Sequence, residues 1–288
     1  MPPLALTLIL VAALVHVVPH AAIKGSRNRD AFVWWMLVVN ALVYSFLFLV
    51  RELPSSRNVW LLIVASAAVE ALYLFAISRA YASGALSVAY PLARGSAPLF
   101  LLAFSLLLLH EQLTVAGACG VVAIAAGVYL INLPAFAQWR EPLRALALPW
   151  ARWALSAGFM TAVYTSVDKL AIRFVDPLLY IYLVLVATLL FYTPLALRTT
   201  GWPAMRETLI ATPVRIAIAG TAMPLAYGLV LLAMQMGVPA SYAGSVREVS
   251  VIVAAIVGVI AFGEKVTLPR IAGACAIAAG IVAVAWHG

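Results

Sequence analysis

The sequence predicts an all-α integral membrane protein of ten transmembrane helices, arranged as two inverted five-helix repeats around a central cavity. Three observations carry this prediction: the composition, the spacing of apolar segments and an internal repeat. Apolar residues make up 66% of the 288 residues and charged residues 10%, whereas a soluble domain is about 45–50% apolar and about 25% charged. A water-soluble protein is therefore excluded. The net charge of +8 comes from basic residues scattered in short loops, which argues against nucleic-acid binding.

Apolar windows of spanning length follow one another along the whole chain. A helix needs about 20 apolar residues to cross the hydrocarbon core, and windows of this kind predict helices at 4–23, 31–50, 59–79, 85–109, 113–131, 152–173, 177–197, 213–235, 239–262 and 267–286. No basic residue precedes the first window, so we expect a spanning helix rather than a signal peptide. The predicted units are a first five-helix repeat (1–131), a connecting interfacial loop (132–151) and a second repeat (152–288).

The two halves match each other when the chain is shifted by 153 residues. The segment GVVAIAAG at 120–127 then falls on GACAIAAG at 273–280. Charged residues coincide at the same shift: Arg94 with Arg247, and Glu111 with Glu264. Because each half crosses the membrane an odd number of times, the second half enters from the opposite side. Inverted repeats of this kind underlie alternating access in many transporters, although a duplicated scaffold without transport would show the same repeat.

Two arginines are predicted to lie near the middle of the membrane, where a charge is costly. Arg94 and Arg247 each lie two to three turns into a predicted helix, and a charged residue at this depth usually faces the protein interior or a wet cavity. A guanidinium group binds carboxylate, phosphate or phosphonate with two parallel hydrogen bonds. The sequence therefore offers two interpretations: both arginines contact an anionic substrate, or each is held in an ion pair with Glu248, Glu70 or Asp168.

Three acidic residues in predicted helices are candidates for carrying a coupling proton: Glu70, Glu248 and Asp168. A carboxyl group in a poorly hydrated cavity can bind and release a proton near neutral pH. Glu70 has Tyr73 on the same helical face, and we expect both side chains to contact substrate. Helix-to-helix pairing is the alternative role for these acidic residues, above all for Asp168.

Further polar residues are expected along the same path. Tyr90 lies four residues before Arg94 and Ser250 three after Arg247, so both add hydroxyl groups to the predicted substrate site, as does the cavity tyrosine Tyr164. His16 is predicted to line the cavity, with His20 one turn further along. No third ligand accompanies this histidine pair, so we predict neither a metal site nor a cofactor.

Five segments resemble the EamA branch of the drug/metabolite transporter superfamily: AALVHVVPHAAIKGS (12–26), AYPLARGSAPLF (89–100), HEQLTVAGACGVVAIAAGVYLI (110–131), AVYTSVDKLAIR (162–173) and GEKVTLPRIAGACAIAAGIVAV (263–284). The resemblance spans essentially the whole chain. It implies a ten-helix basket whose cavity is lined mainly by the first, third, fourth, sixth, eighth and ninth helices, and proteins that commonly export metabolites or toxic compounds. The chain departs from the family at Pro19 and His20, where Trp and Asn are expected.

These observations predict a secondary active transporter, not an enzyme, in the inner (plasma) membrane of a bacterium. The expected substrate is a small anionic or zwitterionic metabolite such as an amino acid, an organic acid or a phosphonate. Its other expected partners are the lipid bilayer and, as an option, a coupling proton; one copy of the chain is sufficient. The alternatives are an exporter of cationic or aromatic drugs anchored by Glu70, Glu248 and the tyrosines, and, more remotely, an intramembrane enzyme or a scaffold.

The orientation in the membrane is predicted differently by two criteria. The loops after the odd-numbered predicted helices carry twelve Lys and Arg near helix ends, and the opposite loops carry three. The positive-inside rule then places both termini outside the cell. The family resemblance places both termini inside, so the sequence leaves export and import open, with export the direction that the resemblance favours.

Overall fold

The computed structural model is helical throughout the residues it describes, which are 1–83, 86–133, 135–144, 148–262 and 265–287. In chain order the helices are α1 (Pro3–Lys24), α2 (Arg29–Val43), α3 (Leu47–Val50), α4 (Arg57–Ser83), α5 (Leu86–Leu107), α6 (Val115–Ile131), α7 (Glu141–Arg144), α8 (Pro149–Ala171), α9 (Pro177–Thr200), α10 (Trp202–Ala211), α11 (Pro213–Gln235), α12 (Ala240–Val246), α13 (Val249–Phe262) and α14 (Leu268–His287). The all-α prediction is confirmed.

Six segments are long and apolar enough to cross a membrane by length and composition alone. They are Pro3–Ile23, Arg29–Val50, Arg57–Ala80, Pro177–Thr200, Pro213–Gln235 and Leu268–Trp286. Shorter apolar helices cover Leu92–Leu107 and Val115–Ile131. Large apolar side chains on these helices, such as Leu49, Leu190 and Ile218, are exposed on the outer surface of the bundle. A soluble protein rarely exposes so much apolar surface, and the chain is a multi-pass membrane protein.

Local sequence signals explain where several helices begin. The side chain of Asn28 accepts a hydrogen bond from Ala31 N, and Asp176 accepts from Leu178 N and Leu179 N, so both residues cap the helix that follows. Such caps satisfy N–H groups that have no partner inside the helix. Proline is the first residue of four long helices, where its missing N–H costs nothing: Pro3, Pro149, Pro177 and Pro213.

The structure corrects several predicted boundaries. The predicted helix 31–50 is interrupted by a turn between α2 and α3. The predicted helix 239–262 is divided into α12 and α13, which meet at Arg247 and Glu248. The predicted loop 132–151 contains a short 3₁₀ turn at Phe136–Gln138 and the start of α8. Helix α10 lies in a segment for which no helix is predicted.

The main contacts between a helix of one half and a helix of the other are each repeated by the equivalent pair of helices. By the internal repeat, α1, α2, α4, α5 and α6 correspond to α8, α9, α11, α12–α13 and α14. Helix α1 packs on α11, and the equivalent α8 packs on α4; likewise α2 packs on α11 and α9 on α4. The pairs α2–α9 and α6–α14 join equivalent helices directly. The two copies are therefore related by an approximate two-fold axis.

The contact between α6 and α14 shows the direction of the two copies. A Cβ atom built on Gly120 would lie 2.8 Å from the carbonyl oxygen of Gly280, and one built on Gly127 would lie 2.7 Å from that of Gly273. The backbones thus touch at two places, in an order that makes the helices antiparallel. Since Gly120 is the repeat counterpart of Gly273, and Gly127 that of Gly280, the two contacts are symmetry mates. We call these four residues the glycine seam.

Residues near the two ends of the described chain lie side by side. The ammonium group of Met1 donates a hydrogen bond to the carbonyl oxygen of Ala285 at 3.0 Å. Met1 lies two residues before the start of α1, and Ala285 lies in the last turn of α14. Both positions are therefore on the same side of the bundle, and the chain between them crosses the membrane an even number of times.

Candidate functional site in the central cavity

A narrow cavity lies between the two halves and brings together residues that are far apart in sequence. Its lining comes from α1, α4, α5, α8 and the α12–α13 junction: His16, Tyr73, Ile77, Ala93, Arg94, Ala97, Thr161, Tyr164, Arg247 and Glu248. The enclosed space has room for about one or two water molecules. A larger molecule therefore enters only if the helices move apart.

Arg94 is held in an ion pair, which is the structural alternative of the two predicted roles. Its Nε donates to Glu248 Oε2 at 3.1 Å, and one terminal nitrogen donates to Ser250 Oγ at 3.1 Å. All three residues are buried, with 7% or less of their surface exposed. The carboxylate of Glu248 balances the charge of Arg94, so this pair adds no net charge to the cavity.

Arg247 is buried to the same degree but has no comparable partner. It is 5% exposed, and its Nε has no hydrogen-bond partner among the described residues. Nor does any described carboxylate lie within ion-pair distance of Arg247; its guanidinium carbon lies 5.8 Å from the ring centre of Tyr227. A buried guanidinium without hydrogen bonds loses the hydration it would have in water. Arg247 thus lies at the cavity wall without an ion-pair or hydrogen-bond partner in the part of the chain that the structure describes.

The local backbone sets the two arginines apart. Arg94 lies inside the continuous helix α5, whereas Arg247 lies where α12 ends and α13 has not begun. At this junction Glu248 N donates to Ser245 O and Ser250 N to Arg247 O, three residues back in each case. This tighter 3₁₀-type pattern interrupts the helix without Gly or Pro. Discontinuous helices within the membrane are typical of substrate sites in transporters.

His16 and His20 contact each other. Their Nε2 atoms lie 2.9 Å apart, so one imidazole donates to the other. The Nδ1 atom of His16 is shielded from solvent and has no partner among the described residues. Across the part of the chain that the structure describes, no three His, Cys, Asp or Glu residues are grouped as metal ligands. His16 therefore offers a second unused polar atom at the cavity wall, besides Arg247 Nε.

Two tyrosine rings, Tyr73 and Tyr164, are part of the cavity lining. The ring of Tyr164 makes edge-to-face contacts with Tyr73, at 5.7 Å between centres, and with Tyr227, at 5.9 Å. Such arrangements stabilise aromatic pairs beyond simple burial. We call these three residues the tyrosine wall. Its rings add apolar surface beside the charged groups.

Asp168 lies behind the tyrosine wall, outside the cavity lining. It is fully buried, and its carboxylate accepts hydrogen bonds from Ser66 (2.5 Å), Tyr180 (2.6 Å) and Tyr227 (2.6 Å). These donors come from α4, α9 and α11, so Asp168 joins four helices. Tyr227 thereby connects this cluster to Arg247, whose guanidinium lies over its ring.

Glu70 also lies behind the wall. It is 5% exposed, and one carboxyl oxygen accepts a hydrogen bond of 3.3 Å from Thr188 Oγ1 on α9. Although Tyr73 lies on the same face of α4, Glu70 is not part of the cavity lining. Of the predicted site residues, the structure thus brings His16, Tyr73, Arg94, Tyr164, Arg247 and Glu248 together, with Ser250 behind Arg94. The side chain of Tyr90 and residue Glu264 lie outside the described residues.

A polar network that sequence reasoning missed lies one turn beyond the cavity along α4. The carboxylate of Asp30 accepts hydrogen bonds from Ser78 (2.5 Å), Tyr192 (3.0 Å) and Thr199 (2.9 Å), and forms an ion pair with Arg79 (3.2 Å). It ties α2 to α4 and α9. The only sequence signal is that each of these residues interrupts an otherwise apolar segment.

A second missed network lies near the C-terminal end of α8. Lys169 Nζ donates to the carbonyl oxygens of Met234 and Val238, both at 2.7 Å, and lies 3.8 Å from Glu111 Oε1. The carboxylate of Glu111 also accepts from Ala240 N at 3.0 Å, at the start of α12. This network therefore holds α8, α11 and the start of α12 together.

Comparison with known proteins agrees with this architecture. The model of the EamA-like transporter family matches residues 3–133 and again residues 148–286. The chain belongs to the EamA-like transporter family. One solved structure, titled "Crystal structure of protein", is 15% identical to this member of the family, covers 99% of both chains and superposes with a TM-score of 0.72. That likeness shows the fold alone. No curated protein sequence matches the chain.

Proposed function

We propose that this EamA-like protein is a secondary active transporter that carries a small anionic or zwitterionic metabolite by alternating access through the central cavity. Amino acids, organic acids and phosphonates have the required charge. The membrane is the inner (plasma) membrane of a bacterium, and export is the direction that the family resemblance favours. One chain forms a complete cavity, so no second copy is needed.

The observation that carries the proposal is the state of Arg247. A buried charge is costly unless it is paired or hydrogen-bonded, yet the described residues give Arg247 neither kind of partner at the cavity wall. An anion bound there would supply the missing hydrogen bonds through the fork of the guanidinium group. Because Glu248 already balances Arg94, the free charge of the cavity is that of Arg247, and it favours an anionic group.

The architecture supports alternating access. Equivalent helices α6 and α14 run antiparallel at the glycine seam, which is the relation expected of inverted repeats. Because Met1 and Ala285 lie on one side of the bundle, the chain between them crosses the membrane an even number of times. We infer ten crossings, five in each half. Two halves with nearly equivalent packing can exchange their roles, which would open the cavity first to one side and then to the other.

The alternative function, export of cationic or aromatic drugs, finds less support in the same geometry. It needs a carboxylate that is free to bind a cation at the cavity wall. Glu248 is held by Arg94 at 3.1 Å, and Glu70 lies behind the tyrosine wall. An aromatic body attached to an anionic group remains compatible with Tyr73 and Tyr164.

Uptake and counterflow in proteoliposomes test the proposal. Succinate, L-phenylalanine and methylphosphonate serve as anionic or zwitterionic probes, and tetraphenylphosphonium serves as the cation. We expect saturable counterflow of at least one of the first three. Arg247→Gln should lower that flux about 10–100-fold, because a hydrogen bond to a charged group contributes about 1.5–3 kcal/mol. The flux of Arg247→Lys should lie between the fluxes of the wild type and of Arg247→Gln, because lysine keeps the positive charge but cannot form two parallel hydrogen bonds.

Arg144→Gln provides a matched control, because Arg144 is an arginine on the exposed surface. Its flux should equal that of the wild type. Transport of the cation alone, or unimpaired anion flux in Arg247→Gln, would reject an anion site at Arg247. Absence of counterflow with every probe would reject a carrier and favour a scaffold.

A further inference from the structure

Three buried carboxyl groups lie in or next to the cavity, and the structure separates them by their partners. Glu248 pairs with Arg94 through a hydrogen bond of 3.1 Å. Asp168 accepts three short hydrogen bonds from hydroxyl groups, which together stabilise a carboxylate. In both cases the negative charge is compensated. Each of these two groups thus has a charged partner or several hydroxyl donors.

Glu70 has no such compensation. Its one hydroxyl donor, Thr188, is 3.3 Å away, and the same hydroxyl also lies 3.4 Å from the carbonyl oxygen of Ala67. No Lys, Arg or His of the described chain lies within ion-pair distance of Glu70. An isolated carboxylate in so buried a place is very costly and is normally neutralised. A proton on the carboxyl group is the simplest neutralising partner.

The surroundings of Glu70 add to this cost. Ionisable groups of two neighbouring helices act on Glu70: Tyr164 and Asp168 on α8, and Tyr180 on α9. None of these side chains carries a positive charge. The carboxylate of Asp168, whose donor Ser66 lies one turn before Glu70 on α4, disfavours a second negative charge nearby.

We propose that Glu70 binds the coupling proton, in a site separate from the anion site at Arg247. This inference rests on the proposed transport function. The rings of Tyr73 and Tyr164 line the cavity, whereas Glu70 is not part of its lining. Tyr73 follows Glu70 on the same face of α4, and Tyr164 is close enough to Glu70 for the two groups to interact electrostatically. A substrate that displaces these rings also changes the access of water to Glu70, which links proton exchange to substrate movement.

Infrared spectroscopy of the protein in lipid tests the proton site without a substrate. A protonated carboxyl group gives a C=O stretching band that shifts in D₂O, whereas an ionised carboxylate does not give this band. We expect this band in the wild type near neutral pH, its loss in Glu70→Gln, and its retention in the matched amide variant Asp168→Asn. Glu70→Asp should keep a shifted band. A wild type without the band, or Glu70→Gln with an unchanged band, would overturn the assignment.

Transport separates this inference from the function on which it rests. With whichever of succinate, L-phenylalanine or methylphosphonate shows counterflow, a pH gradient should drive accumulation in wild-type vesicles. Glu70→Gln should lower that accumulation at least tenfold while counterflow stays within about twofold. Gradient-driven accumulation that survives in Glu70→Gln would refute the proton site at Glu70. Absence of counterflow in the wild type would instead refute the proposed transport function.

Discussion

Replacing Gly127 by alanine tests the backbone contact that joins the two halves. The new Cβ atom would lie 2.7 Å from the carbonyl oxygen of Gly273 and 2.7 Å from Ile277 Cγ1, whereas ordinary contact begins at 3.4 Å. The carbonyl oxygen is part of a helix backbone and cannot rotate away. The glycine seam would therefore widen by about 0.7 Å at this point, and close packing along α6 and α14 would be lost.

The expected cost follows from two opposing effects. Overpacking of a well-packed interior costs about 1–3 kcal/mol, while alanine is favoured over glycine inside a helix by up to about 1 kcal/mol. We expect Gly127→Ala to lower the free energy of unfolding by about 1–2 kcal/mol. That change raises the ratio of unfolded to folded protein about 5–30-fold. Titration with sodium dodecyl sulfate in mixed micelles, followed by circular dichroism, measures it.

Gly95 provides a matched control on the neighbouring helix α5. A Cβ atom at Gly95 would lie 3.5 Å from Val128 Cγ1, an ordinary contact, so Gly95→Ala should be neutral or slightly stabilising. Gly120→Ala should resemble Gly127→Ala, because the two positions belong to symmetry-related contacts. The double variant should cost less than the sum of the two, since both changes widen one seam. Equal stability of Gly127→Ala and Gly95→Ala would refute the seam as the tight contact between the halves.

Three further variants test the polar networks. Tyr227→Phe removes one of three hydroxyl donors to Asp168 and should lower the free energy of unfolding by about 1.5–3 kcal/mol, measured by the same detergent titration; an unchanged midpoint would contradict a structural role for this hydroxyl. Asp30→Asn weakens the contacts among α2, α4 and α9 and should cost about 1–3 kcal/mol, which a fall in melting temperature would show. Lys169→Met removes the partner of two carbonyl oxygens and of Glu111, so amide hydrogen exchange of residues 236–240 should rise at least tenfold. Unchanged exchange would exclude Lys169 as the group that holds α11 and the start of α12 against α8.

The sequence predicts the helices well because the membrane imposes a simple requirement. A span needs about 20 apolar residues, and charged or proline-containing segments mark the ends of most spans. The break at Arg247 could not be predicted, because no glycine or proline lies there. It is accompanied by the partners of Arg94 across the cavity, Glu248 and Ser250, whose positions depend on the assembled fold. Helix α10 escaped prediction because it is too short and too polar to resemble a span.

The candidate site was predictable in membership but not in the role of each residue. The repeat and the cost of buried charge identify Arg94 and Arg247 together, and sequence alone treats them as equivalent. Only three-dimensional packing shows that Arg94 has a carboxylate partner and that Arg247 has none among the residues the structure describes. Glu70 and Tyr73 share a helical face, yet the rotation of α4 directs Tyr73 into the cavity and leaves Glu70 behind it. Such distinctions depend on tertiary contacts, which helical periodicity does not determine.

The hydrogen bond between Met1 and Ala285 has a practical consequence for mapping the topology. Because these two positions share one face of the membrane, a single reporter of location attached near Ala285 also assigns the face of Met1. With the ten crossings that we propose, every loop in between then follows by alternation, including the connecting segment that carries Arg140 and Arg144. One fluorescence or accessibility measurement therefore decides between the two predicted orientations: termini outside the cell, from the positive-inside rule, or termini inside, from the family resemblance.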